Sequence, residues 1–294
     1  MGPPKNAARK DALGRSHSPN LEVSEAEDKS ANILELLPWD QEQECNIILS
    51  GIEVKTNMDK PLQKLFAEVA PTYEMVNHVL TFGLDRRWRK KAARLAAARG
   101  GFRWLDVCSG TGEFAGTLAE LAPRGGSVIS LDFCPPMLAR ATARAGRIRL
   151  LFVIGNARHL PFATDSLDLI TISFATRNIN LSRPILVQEF AEFRRVLKPE
   201  GTFVNLETSQ PRPRWIRSLF HVYVSLVVKY AGRWLSGSRA GYVYLASTIP
   251  RFHDARELKE IIDEAGLDTI LVKRLSLGIA AIHVARKPGV HSVR

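Results

Sequence analysis

Leu105-Asp106-Val107-Cys108-Ser109-Gly110-Thr111-Gly112-Glu113 is the stretch that decides the fold. An apolar run ends at Val107, two alternating glycines follow, and a helical period then runs from Glu113 to Leu121. Gly110 and Gly112 let the backbone turn sharply and approach a ligand, with the free N–H groups of the next helix directed at it. Asp132 closes the next apolar run, SVISLD, so a second strand end carries a carboxylate that can accept ribose hydroxyls. Working outward, strand-like and helical segments alternate: RWLDVC, Glu113–Leu121, SVISLDF, Pro136–Ala145, RLLFVIG, LDLITISF, Ile185–Leu197 and TFVNLE. That alternation predicts a doubly wound α/β fold with a parallel sheet. Asp254–Ala265 reads as the next helix, stopped by Gly266, and TILVKRLS with IAAIHVARK as a closing hairpin.

Upstream, Leu62, Leu65, Phe66 and Val69 form one helical pattern; beyond Pro71, Met75, Val76, Val79 and Leu80 form another, and Trp88 to Ala98 continues as helix. Residues 1–56 hold six Lys/Arg against ten Asp/Glu and too few apolar residues for a core, so they read as a largely disordered tail. The domain plan is therefore a tail over 1–56, a catalytic domain over 57–288 with an insertion at 208–252, and a short tail at 289–294. The three cysteines, Cys45, Cys108 and Cys134, show neither metal-ligand spacing nor a disulfide framework. No metal is expected. With no signal-peptide pattern and no apolar span of transmembrane length, the chain reads as unprocessed and cytoplasmic. The formal charge of +11 favours acidic partners, nucleic acid or anionic lipid, without choosing between them.

Two cofactor classes compete for the glycine loop. Gly110-x-Gly112-x-x-Ala115 also fits a dinucleotide fingerprint. A dinucleotide, however, places a pyrophosphate on the helix N-terminus, where this chain puts Glu113 with Asp106 close by. S-adenosyl-L-methionine carries an ammonium and a sulfonium and no phosphate, so acidic surroundings suit it better. Further along, Asn156 and Ala157 follow the third strand at an adenine-like position, with Leu160 and Phe162 as apolar cover; an ordinary loop with a core-anchoring Phe is the alternative.

The combination of Phe66-Ala67 with Tyr73-Glu74-Met75-Val76-Asn77, Phe82-Gly83-Leu84-Asp85-Arg86-Arg87-Trp88-Arg89, the glycine loop and Thr171-Ile172-Ser173-Phe174-Ala175-Thr176-Arg177-Asn178 resembles the UbiE or MenG type of ubiquinone and menaquinone biosynthesis C-methyltransferases. Leu206 to Pro211, Tyr242 to Ile249 and Gly278 to Val284 resemble its later signatures. The resemblance implies a class I S-adenosylmethionine-dependent methyltransferase fold, Rossmann-like, with a seven-stranded, mostly parallel sheet whose last strand is antiparallel. It also implies methylation of a ring carbon of a polyprenylated quinol, demethylmenaquinol or the equivalent ubiquinone-pathway benzoquinol. By position, Thr111, Asp132, Asn156, Ala157 and Ser173 match the cofactor contacts of that family, to which Asp106, Gly110 and Gly112 are added from the loop. The chain departs from the pattern at Glu74 and Glu113, where Asp is usual, and at Ala246 and His253, where Pro is usual; the two missing prolines should leave a Tyr242–His253 loop less pre-set.

Arg177 and Asn178 follow the fourth strand, where the methyl acceptor sits in this fold class. Arg177 could stabilise a phenolate, or could merely pair with a carboxylate to hold its loop. Tyr73, Asn77 and Tyr244 are further candidates for orienting the ring hydroxyls, whereas the isolated His78 and His283 are left unassigned. Between Glu207 and Asp254 there is no acid but there are seven Lys/Arg interleaved with aromatic and aliphatic residues. This segment reads either as a lid that touches the bilayer, making the protein peripherally membrane-associated, or as a core helix with a basic outer face. The basic run Arg86, Arg87, Arg89, Lys90, Lys91 and Arg94 would suit a nucleic-acid methyltransferase, but Ala175-Thr176-Arg177-Asn178 lacks the Asn/Asp-Pro-Pro-aromatic motif of base methylation, so no nucleic-acid partner is expected. A non-enzymatic binding module is the third class, opposed by the intact loop with Asp132. Homo-oligomerisation is left open.

Overall fold

The computed structural model describes residues 47–48, 59–145, 150–228 and 239–289. Seven strands form the main sheet: β2 (Arg103–Val107), β3 (Ser127–Asp132), β4 (Leu150–Ile154), β5 (Leu167–Ser173), β6 (Leu197–Thr208), β7 (Asp268–Leu275) and β8 (Ala280–Arg286). Their order is β4-β3-β2-β5-β6-β8-β7; all run parallel except the last in sequence, β8, which is antiparallel to both neighbours. A two-residue strand, β1 (Ile47–Ile48), adds an eighth member by pairing in parallel with Phe152 and Val153 at the β4 edge. The remainder of the expected N-terminal tail lies outside the described residues.

The central strands are apolar on both faces because helices cover both sides, as a parallel sheet requires. On one side, α3 (Leu84–Ala97) presents Trp88, Ala92, Ala93 and Ala96 to the same core as Trp104, Phe114 and Leu118. On the other, Phe190 and Phe193 of α7 (Arg183–Val196) meet Phe203 of β6 with centroids 5.3 and 5.7 Å away and lie 5.9 Å from each other, contacts that add about 0.5–1.5 kcal/mol each beyond area burial. The Asp254–Ala265 expectation is met by α10 (Ala255–Glu264), whose first turn is held by a reciprocal capping box between Asp254 and Glu257.

The helices α1 (Asp59–Val69) and α2 (Tyr73–Leu80) precede α3, and α4 (Glu113–Ala119), α5 (Pro135–Ala145) and the single turn α6 (Thr176–Ile179) follow strand ends. The insertion forms α8 (Arg214–Tyr223), continued by a π turn over Val224–Val228, and α9 (Arg239–Thr248), closed by a 3-10 turn at Ile249–Arg251. The expected Tyr242–His253 loop is thus helical as far as Thr248. With Ala246 in place of a proline, a backbone N–H is kept and the residue of best helical propensity occupies the position, so α9 runs on. A small second core joins Val69, Val76, Leu80, Met137 and Val224, tying α1 and α2 to the insertion.

Candidate active site

The carboxyl ends of β2, β3 and β5 open onto a cavity of about 350 Å³. Of the residues read from the sequence as cofactor contacts, Asp106, Gly110, Thr111, Asp132, Asn156, Ala157 and Ser173 line it. Gly112 does not. Its φ is +75° and an added Cβ would lie 2.7 Å from the Ala141 Cβ, so its glycine serves the close approach of α4 to α5.

Asp132 builds the loop as well as facing the cavity: Oδ2 accepts the Gly110 N–H at 2.8 Å and Oδ1 the Cys134 N–H at 2.9 Å. The Gly110 N–H is therefore committed within the loop itself. Each oxygen of Asp132 keeps a further lone pair, and burial lifts this carboxyl to about 6. Asp106 accepts from Thr171 Oγ1 at 2.6 Å, its Oδ2 has no hydrogen-bond partner, and burial pushes it up to about 7. Ser173 Oγ is likewise buried and unpartnered. With Asn178 Oδ1, also buried and unpartnered, these orphaned polar atoms belong to residues lining one cavity and mark places where a polar ligand completes the hydrogen bonding. Asn156 Oδ1 accepts the Arg158 N–H at 3.0 Å, which locks the turn after β4. Leu160 and Phe162 are buried and do not line the cavity; they anchor the loop, and the apolar cover comes from Phe133 and Met137. The Cys108 thiol is pushed well up by burial, which fits packing and not nucleophilic attack.

A second cavity, about 530 Å³, adjoins the first. Its walls are mostly apolar, among them Leu80, Trp88, Trp215, Leu219, Phe220 and Ile279. Tyr73, Arg89 and Phe174 line both cavities and form the wall between them. Phe174 sits at φ 56°, and Cys108 at φ 52°; a left-handed non-glycine residue costs on the order of 1–3 kcal/mol, so the ends of β2 and β5 at the cavities each carry backbone strain. Of the acceptor candidates, Arg177, Asn77 and Tyr73 line the second cavity and Asn178 the first. Tyr244 lines neither, although its phenol, pushed up by burial, still feels Arg177 and Glu207.

Arg177 is buried, and Nη1 bonds Glu207 Oε1 at 3.1 Å and Thr208 Oγ1 at 3.2 Å. Its backbone N–H also reaches Glu207 Oε2, at 3.1 Å, while Nε is buried without a partner. The pairing with a carboxylate is therefore real, and Nε of the same guanidinium is left without a partner. Glu207 escaped the sequence reading; its signal is a lone acid on the apolar strand TFVNLE.

Arg89 also escaped it, being one member of the basic run from Arg86 to Arg94. Arg86, Arg87, Lys90, Lys91 and Arg94 are exposed, but Arg89 falls four residues after Asp85 on the face carrying Trp88 and Ala92, and is buried. Its Nη1 lies 2.7 Å from Asp85 Oδ2 and 3.1 Å from Glu113 Oε2, and its guanidinium carbon 5.0 Å from the Phe174 ring centroid. His78 joins the same two acids, Nδ1 at 2.6 Å from Asp85 and Nε2 at 3.1 Å from Glu113. His78, Asp85 and Glu113 are a set that could hold a cation; here the Arg89 guanidinium already supplies the charge between the carboxylates.

Residues 53–287 match the model of the ubiE/COQ5 methyltransferase family. The chain is 37% identical over 226 residues to the demethylmenaquinone methyltransferase of Thermus thermophilus, covering 76% of this chain and all of that one. It is 34% identical over 229 residues to the ubiquinone/menaquinone biosynthesis C-methyltransferase UbiE of Rubrivivax gelatinosus, covering 78% and 88%. Among solved structures, a SAM-dependent methyltransferase from Leishmania major superposes with a TM-score of 0.56 at 14% identity over 78% of this chain and 82% of its own, a likeness of fold.

Proposed function

The chain belongs to the ubiE/COQ5 methyltransferase family, and from that premise we propose that it transfers the methyl group of S-adenosylmethionine to a ring carbon of a polyprenylated quinol, demethylmenaquinol in the first place. The observation that carries this reading is the pair of adjoining cavities, one polar with orphaned acceptors and donors, the other apolar, separated by Tyr73, Arg89 and Phe174. The residues present fit the cofactor. Asp132 can take the ribose hydroxyls, Asp106 an ammonium, and Ser173, Thr111, Asn156 and Ala157 complete the nucleoside side. When bound, S-adenosylmethionine supplies an electrophilic methyl on a sulfonium.

The remaining chemistry falls to the second cavity. Its apolar walls receive the prenyl chain and exclude water from the quinol ring. Ring carbon becomes nucleophilic as the neighbouring phenol ionises, so donors aimed at that oxygen accelerate the reaction. Arg177 Nε is such a donor, fixed in place because Glu207 and Thr208 hold Nη1. The Tyr73 phenol reports the local field: burial pushes its pKa up while Arg89 and Arg177 pull it down, and Arg177 acts in the same direction on a substrate phenol. Tyr73, held protonated by burial, and Asn77 orient the ring hydroxyls.

The quinol comes from a bilayer, and the surface beside the second cavity suits an anionic membrane face. Trp215, Leu219, Val222 and Leu226 are exposed along α8 and its π turn, with Arg212, Arg214 and Arg217 nearby and no acid in the segment. Exposed aromatic and aliphatic residues interleaved with arginines are the composition of an interfacial helix. No helix among the described residues is long and apolar enough to cross a membrane. The relative named for both quinone pathways favours a benzoquinol as the second candidate substrate. The quinone profile of cells lacking the protein tests the assignment. Accumulated demethylmenaquinone supports the first substrate and a demethylated ubiquinone precursor the second; an unaltered profile refutes both.

A further inference from the structure

Among the described residues lining the cofactor cavity, only Arg89 and Arg158 are cationic. Arg158 follows Asn156 and Ala157 on the turn after β4 and spends its Nε on Glu189 at 2.9 Å. Arg89 belongs instead to the wall shared with the acceptor cavity. We propose that Arg89 binds the methionine carboxylate of S-adenosylmethionine through Nε and Nη2, an inference that rests on the cofactor reading above.

Three observations support it. First, every described polar contact of Arg89 falls on Nη1, to Asp85 at 2.7 Å and Glu113 at 3.1 Å. The opposite edge of the guanidinium, Nε with Nη2, keeps three N–H donors in the planar fork that matches a carboxylate with two parallel bonds. Second, the guanidinium is held rigidly. Asp85 accepts from Thr81 Oγ1 at 2.8 Å and contacts His78 Nδ1 at 2.6 Å, and the Phe174 ring lies against the guanidinium carbon. A fork fixed in advance loses little freedom when it binds. Third, the position agrees with the rest of the ligand. With the ribose at Asp132 and the methyl directed to the acceptor cavity, the amino-acid moiety is left beside the shared wall, where a buried carboxylate needs a cation. The ammonium of that moiety then falls among Asp106 and Glu113, so both of its charges are matched.

Calorimetry on the purified protein tests the assignment with two ligands that share adenosine and a thioether. S-adenosylhomocysteine carries the amino-acid moiety, and 5′-methylthioadenosine lacks it. Arg89→Gln and Arg89→Lys should each weaken S-adenosylhomocysteine, the first by about tenfold to a hundredfold, the range of a charge-assisted hydrogen bond, while leaving 5′-methylthioadenosine unchanged. Lys keeps the charge and the ion pairs but loses the fork, so it remains informative if the Gln variant does not fold. The ratio of the two affinities within each variant is indifferent to the fraction folded. An unaltered ratio overturns the proposal, whether both ligands weaken together, as a structural role requires, or neither does, as a contact with the quinol alone requires. Failure of the unsubstituted protein to bind S-adenosylhomocysteine would instead overturn the cofactor reading beneath it.

Discussion

Replacing Arg177 by Lys separates the ion pair seen for this side chain from the catalytic role proposed for it. Nη1 bonds both Glu207 and Thr208, Nε is buried without a partner, and the residue lines the second cavity. A lysine brings one nitrogen and can keep the ion pair but not the remaining bond and the fixed fork. The loss of one hydrogen bond to a charged group costs about 1.5–3 kcal/mol, and at about 2–4 °C per kcal/mol for a unit of this size the melting temperature should fall by about 3–12 °C. If Nε also stabilises the developing phenolate, kcat per folded molecule falls by about tenfold to a hundredfold, below the full cost of an oxyanion donor because the charge remains. The affinity for S-adenosylhomocysteine stays unchanged, since Arg177 does not line the cofactor cavity. Glu207→Gln is the control: it strands a buried cation, at a cost of about 3–5 kcal/mol. Thermal melts combined with single-turnover methylation of a short-tailed quinol measure all of this. A lowered melting temperature with normal turnover per folded molecule would reduce Arg177 to a structural ion pair and refute the catalytic argument.

Asp132→Ala should weaken S-adenosylhomocysteine by about 1.5–3 kcal/mol, the value of hydrogen bonds to a charged acceptor; an unchanged dissociation constant by calorimetry would place the ribose elsewhere. Cofactor affinity should rise with pH, because Asp132 and Asp106 stay protonated in the empty protein up to about 6 and about 7, whereas a hydroxyl-donating, ammonium-bearing ligand favours both carboxylates. Binding between those values therefore releases protons, which calorimetry in buffers of different ionisation enthalpy detects, and zero release would contradict the site. For the same two groups the folded pKa exceeds the unfolded one, so their contribution to the stability of the empty protein falls as pH rises from about 4, where the unfolded carboxyls ionise, to about 7. Val222→Glu with Leu226→Glu should abolish retention on vesicles rich in phosphatidylglycerol while turnover of a short-tailed quinol is kept; retention by the double variant would move the membrane contact off α8.

The sheet was legible because apolar strands buried on both faces and glycine-stopped helices leave one-dimensional signatures: RWLDVC and LDLITISF are β2 and β5 nearly residue for residue. The lining of the first cavity was legible for a related reason, since Asp106, Asp132 and Ser173 sit at or near strand ends whose convergence follows from the topology. The rest of the site was not, because it depends on partners far apart in sequence. Nothing local pairs Arg177 with Glu207, thirty residues on. Arg89 was hidden among five exposed basic neighbours, and only its spacing from Asp85 on the alanine-rich face of α3 marks it as buried. The helical run through Ala246 was missed because a resemblance that has proline there argued for a loop, although this chain's own residue favours helix.

The central claim, methyl transfer from S-adenosylmethionine to quinol carbon, is tested most directly by incubating the purified protein with methyl-labelled S-adenosylmethionine. The acceptors are short-tailed demethylated naphthoquinone and benzoquinone, each offered oxidised and reduced. Mass spectrometry should find the label on a ring carbon of the reduced naphthoquinone and not of the oxidised one, because only the quinol can supply a phenolate. A protein that binds S-adenosylhomocysteine yet labels neither quinol, or labels oxygen instead of carbon, would contradict the account.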